Sequence, residues 1–211
     1  MINFHHKFTI IHTPKFGGSS LHFLFMQHGL YPPGAMELEP NRNGENECLD
    51  PTETWKKKYA PRGPHGNLQH RVNNLRKIGE DPQDYTFIFL RRNPWDFMVS
   101  WYFWVRRNAP WDRDSFAKFV TAKSHEGAAR ALNMQRGYQD YNSFFVDINH
   151  QLRDINIIFS KWDIQFDDIP RKNKSLARKD SDDYKQYYDD TTREIVATAF
   201  KDYIKLFDYK F

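Results

Sequence analysis

Residues 7–21 read KFTIIHTPKFGGSSL, and the fold follows from how this stretch is divided. Residues 7–13 are β-branched and apolar with no helical period, which predicts a buried strand. Pro14 to Gly18 is a turn. From Ser19 to about His28, Leu21, Phe23, Leu24 and Phe25 predict a short buried helix, closed by Gly29 and the Pro32-Pro33 pair. A turn between a strand and a helix aims backbone N–H groups and the helix dipole at anions. Gly17 and Gly18 let the backbone approach a phosphate closely, Lys15 adds a point charge, and Ser19 and Ser20 add hydroxyl donors. The order differs from a Walker A loop, in which the lysine follows the glycines.

The unit recurs downstream. YTFIFL (85–90) predicts a second central strand that runs into Arg91-Arg92-Asn93-Pro94. Asn93 suits an N-cap and Pro94 the first helical position, so a helix is predicted from there to about Arg107. Arg92 then ends a strand and Ser100 lies on the following helix. Ligands of open α/β sheets bind at the carboxyl ends of strands, and an arginine fork with a hydroxyl suits a second phosphate. Leu68 to Ile78 predicts an amphipathic helix. Residues 31–66, rich in Pro, Gly, Asn and Glu, predict an irregular excursion, with one short helix at most near Thr54 to Tyr59, that shapes an acceptor pocket. Residues 114–135 are predicted helical in part, Asn156 to Phe159 a third strand, and 167–183 a polar loop. Thr191 and Glu194 predict a capping box for a final helix striped by Ile195, Val196, Ala199, Phe200, Tyr203, Ile204 and Phe207. Recurring strand–turn–helix units predict one α/β domain over 1–211, with a mainly parallel central sheet flanked by helices.

Composition narrows the function classes. Lys and Arg number 31 against 27 acidic residues, a net +4 too balanced for a nucleic-acid coat and better suited to a localised anion site. No run approaches the ~20 apolar residues of a membrane span, and MINFHHKFTII carries no apolar signal segment. A single cysteine, Cys48, excludes an internal disulfide framework and a multi-cysteine zinc site, which predicts a reducing cytoplasm. Its neighbours Glu45, Glu47 and Asp50 do not favour a thiolate, so a cysteine nucleophile is not expected.

The segment PKFGGSSL is similar to the 5′-phosphosulfate loop of sulfotransferases that use 3′-phosphoadenosine 5′-phosphosulfate (PAPS), most of all the branch of heparan sulfate 2-O-sulfotransferases and small bacterial carbohydrate sulfotransferases. RNPWDFMVSWY (92–102) resembles that branch's 3′-phosphate motif, and NKSLARKDSDDYKQYYDD (173–190) its C-terminal segment. The resemblance implies a P-loop-like three-layer fold. It implies that Lys15, Gly17, Gly18, Ser19 and Ser20 hold the 5′-phosphosulfate and that Arg92 and Ser100 hold the 3′-phosphate. Lys174, Ser175 or Arg178 would border the nucleotide, unless that loop is simply solvated. Relatives usually carry Thr at the position of Phe16, and an apolar residue where Arg91 precedes Arg92, so either arginine could engage the phosphate.

The implied reaction moves the sulfuryl group of PAPS to a hydroxyl of a carbohydrate or glycolipid, needs no metal, and suits a bacterial or viral cytoplasmic enzyme. A histidine base is expected. His70 opens the helix before the second strand and is followed by Leu75-Arg76, as in small bacterial relatives; His65, in PHGNLQH, is the rival. His12 is expected in the core, and His5 and His6 at a fraying terminus. Two other classes compete. A divergent P-loop nucleotide kinase needs an acidic metal ligand at a strand end, which no predicted strand supplies. A nucleic-acid-binding protein would use Trp95, Trp101, Tyr102 and Trp104 for stacking rather than in a core.

Overall fold

The computed structural model describes residues 2–30, 66–106, 109–170 and 183–211. These fall into two compact units, residues 1–91 with 134–172, and residues 92–133 with 173–211.

The first unit is α/β. Its strands are β1 (Ile2–Asn3), β2 (Phe8–Ile11), β3 (Thr86–Arg91) and β4 (Ser143–Asp147), in the spatial order β1-β2-β3-β4. β1 is antiparallel to β2, whereas β2, β3 and β4 run parallel, with Ile11 beside Phe89 and Arg91 beside Asp147. The sheet is therefore mainly parallel, as the recurring strand–turn–helix units predict. Helices α1 (Gly18–Gln27), α2 (Leu68–Lys77) and α5 (Gln151–Phe159) cover it.

Side-chain alternation along β3 sends its residues to opposite faces. Phe87 and Phe89 enter a core with Leu68, Val72 and Leu75 of α2. On the other face, Phe8 meets Phe25 of α1 with ring centroids 5.6 Å apart and Phe159 of α5 at 5.0 Å. Each such edge-to-face pair adds ~1 kcal/mol beyond the area it buries, so the aromatic load of the sequence is spent largely on the core. Parallel strands place their carboxyl ends on one edge of the sheet, where β2, β3 and β4 end at Ile11, Arg91 and Asp147.

The second unit is helical: α3 (Pro94–Val105), α4 (Arg113–Gln135, its last two residues in the first unit), α6 (Asp190–Ala199) and α7 (Lys201–Phe207). Trp95, Trp101 and Tyr102 are buried, as the core reading expects; Trp104 is exposed. Phe97 stacks on Trp101 at 5.5 Å, and a Cβ on Gly127 of α4 would lie 3.0 Å from Phe97 and Phe200 ring atoms. Only glycine lets α4 approach this closely.

Three expectations are corrected. Asn156 to Phe159 is not a strand but the last turn of α5. Its apolar residues Ile155, Ile158 and Phe159 repeat at helical spacing and are all buried, so the long-range packing of one helical face overrides the local β-branched signal. The third parallel strand is SFFVD, Ser143–Asp147. At the carboxyl-terminal helix the cap is Asp189, whose side chain accepts from Thr192 N–H while Thr192 answers to the Asp189 N–H. Thr191 and Glu194 take no part in that box, because the helix starts two residues earlier than the pair implies. The stripe also breaks at Phe200, which ends α6 and precedes α7. Residues 114–135, expected to be partly helical, lie wholly within α4.

Candidate functional site

The glycine loop lies where β2 gives way to α1. Thr13 to Phe16 forms a turn closed by Phe16 N–H on the Thr13 carbonyl at 3.2 Å. Pro14 takes its second position and Lys15 its third, with φ +69°, the left-handed conformation that a type II turn demands there. A non-glycine residue held so costs ~1 kcal/mol, the kind of local strain that clusters at binding sites. Phe16 is fully buried and anchors the turn.

Gly17 is the N-cap of α1, with φ +86°. No side chain caps that helix end, and its first turn holds no acidic residue. The dipole and amides of Gly18, Ser19 and Ser20 thus face away from the helix body, with no carboxylate in the helix's own first turn. Ser19, Ser20 and Lys15 are half-buried.

Both glycines are demanded by their neighbours. A Cβ on Gly18 would collide with the imidazole of His12, and one on Gly17 with the amide of Gln151. His12 is buried, as expected, just beyond the end of β2. It meets the buried His22 of α1 edge-on, with centroids 5.1 Å apart.

Gln151, the first residue of α5, donates from Nε2 to the Gly17 carbonyl at 3.4 Å. Its segment is braced from β4. The Asp147 side chain accepts from Asn149 N–H at 2.9 Å, the Asp147 N–H donates to Asp154 at 2.9 Å, and Arg91 Nε lies 3.4 Å from Asp147 Oδ2. Asp147 is an acid at the end of a parallel strand, the feature sequence reasoning did not find because it placed the third strand elsewhere. Its two oxygens face an arginine and a backbone N–H, which describes a structural brace more than a cation ligand. The apolar run FFV ending in Asp was the signal for it. Gln151 left no local signal, since only the fold brings it to Gly17.

The two adjacent arginines belong to different constellations. Arg91 pairs with Asp147 in the first unit. Arg92, in the second, donates from Nε to Asp96 Oδ2 at 2.6 Å, with both side chains about nine-tenths buried. Asn93 caps α3 by accepting from Trp95 N–H at 3.0 Å, and its own amide donates to the Lys210 carbonyl at 2.9 Å. Pro94 occupies the first helical position. Arg92, Asp96 and Ser100 recur every four residues, so Asp96 and Ser100 share one face of α3 at whose start Arg92 is folded back. Ser100 is half-buried.

His70 lies in the first turn of α2, where its N–H donates to Asn67 Oδ1 at 2.9 Å. α2 precedes β3, and its Leu68, Val72 and Leu75 share a core with Phe87 and Phe89 of that strand. His65, Lys174, Ser175, Arg178, Cys48 and the excursion at 31–65 lie outside the described residues. Among the described residues no group of three His, Cys, Asp or Glu side chains could hold a metal ion, and no helix is long and apolar enough to cross a membrane.

No protein-family model, no curated protein and no solved structure matches the chain.

Proposed function

We propose that the chain is a PAPS-dependent sulfotransferase with a P-loop-like three-layer core. The observation that carries this reading is the loop at the start of α1. A strained Lys15 and an uncapped helix end stand at the carboxyl end of a parallel strand, with two glycines packed so closely that no side chain fits. Such a loop binds an oxyanion through backbone N–H groups and a lysine. The Arg92–Asp96–Ser100 series supports a second phosphate contact; Arg91 and Arg92 are each paired with an acid, at 3.4 Å and 2.6 Å, so it is the motif order and not the pairing that favours Arg92.

In this reading Lys15, Gly17, Gly18, Ser19 and Ser20 hold the 5′-phosphosulfate and Arg92 and Ser100 the 3′-phosphate. The acceptor is a hydroxyl of a carbohydrate or glycolipid, and its oxygen attacks sulfur in line. The bond from sulfur to the bridging phosphate oxygen breaks, and 3′,5′-phosphoadenosine (PAP) leaves with that electron pair. The hydroxyl proton passes to a histidine, His70 or His65. Lys15 offsets the charge that grows on the leaving phosphate, and in-line positioning supplies much of the remaining acceleration. A nucleotide kinase would turn instead on a strand-end acid free to hold magnesium, whereas Asp147 is committed to Arg91 and Asn149.

Titration calorimetry of PAP, without added metal, against ATP with magnesium tests the assignment. Tighter binding of PAP supports it; tighter binding of magnesium-ATP, or no nucleotide binding by folded protein, overturns it.

A further inference from the structure

We propose that Gln151 is a positioning residue for the phosphate loop: its amide holds the Gly17 carbonyl and thereby turns the next peptide N–H, that of Gly18, toward the bound phosphate. The inference rests on the donor-site reading above and adds a residue to that site.

A peptide is planar and trans, so its C=O and N–H point to opposite sides. Whatever fixes the Gly17 carbonyl therefore fixes the Gly18 N–H. The Gly17–Gly18 peptide is flanked by glycine on both sides, and glycine adopts either sign of φ almost equally well. Local sequence consequently leaves this peptide free to flip, and in the flipped state a carbonyl oxygen would face the anion.

Two contacts oppose the flip. As N-cap, Gly17 presents its carbonyl to the first turn of α1. From outside the helix, Gln151 Nε2 donates to the same oxygen at 3.4 Å, and a Cβ at Gly17 would stand 3.1 Å from Ile148 Cγ1. Residues 148–151 press on the loop from the end of β4 and are held by Asp147, itself flanked by Arg91 and bonded through its N–H to Asp154. A glutamine suits this place because it donates to a carbonyl without introducing a second charge that would compete for the phosphate.

The test uses the whole chain with glycine-selective 15N labelling. PAP is titrated into wild type and into Gln151→Met, which fills similar space without a donor. Calorimetry and the Gly18 amide resonance are followed together. Wild type is expected to bind PAP with a downfield shift of the Gly18 amide. Gln151→Met is expected to unfold at a similar temperature, bind PAP about tenfold more weakly, and show a much smaller Gly18 response. Gln151→Glu, which lacks the donor and repels the anion, should bind more weakly still and serves if the methionine variant folds poorly. Equal affinity with an unchanged Gly18 shift in a folded variant would overturn the role of Gln151 while leaving the donor site standing. Failure of wild type to bind PAP would overturn the donor reading, and this inference with it.

Discussion

The loop at 13–20 and the turn at 92–100 are both read as phosphate sites, yet they are built in opposite ways. The arginine turn is nearly complete within nine residues: Asn93 caps α3, Pro94 starts it, and Asp96 fixes Arg92 one turn away. The glycine loop is completed from beyond another strand: His12, just before it, packs against Gly18, but Gln151, 134 residues on, closes against Gly17. A locally built site is robust to changes in the rest of the chain. A site assembled from distant strands depends on the sheet that brings them to one edge.

The sharpest way to break this contrast is at the arginine. Replacing Arg92 by Ala leaves Asp96 buried without its partner, and unfolding stability should fall by about 3 kcal/mol. The double change with Asp96→Ala should recover a large part of that loss in denaturant unfolding, because it removes the carboxylate that Arg92→Ala strands. Little recovery would mean that Arg92 is held by more than its own turn.

The glycine loop should fail differently. Gly18→Ala forces a methyl group into the His12 imidazole and should cost about 2 kcal/mol of stability. Adding His12→Ala should restore stability, measured again by denaturant unfolding. A third variant separates strain from binding. Lys15→Gly relieves the left-handed backbone, so stability should hold or rise by up to about 1 kcal/mol while PAP binding is lost. A drop in stability would show that Lys15 serves the fold.

The smallest effect concerns the cap of α6. Hydrogen bonds from the Thr192 N–H and hydroxyl hold the Asp189 carboxyl below its ordinary value. A depressed carboxyl contributes stability above its unfolded pKa and loses it as pH falls through the folded value. The unfolding midpoint should therefore drop slightly more between pH 7 and pH 3 in wild type than in Asp189→Asn, as thermal scans would show.

The same contrast explains what the sequence disclosed. β2, β3, α1, α2 and α3 were legible because their signals are local: apolar runs, Asn-Pro at a helix start, glycines at a turn. Asn156 to Phe159 misled because Ile157, Ile158 and Phe159, three apolar residues in a row, suit either a buried strand or one face of a helix, and packing of Ile155, Ile158 and Phe159 decided. Misplacing that strand hid Asp147 at the end of the true one. Gln151 was beyond reach from sequence, since a lone glutamine acquires meaning only when the third strand delivers it to Gly17.

Most directly, the two-phosphate claim is tested by titrating PAP and AMP, which differ by the 3′-phosphate, into wild type, Lys15→Ala and Arg92→Lys. Wild type should prefer PAP, Arg92→Lys should lose that preference while keeping its hold on AMP, and Lys15→Ala should lose both ligands. Equal affinity of wild type for PAP and AMP, or an Arg92 variant that weakens both alike, would contradict the account.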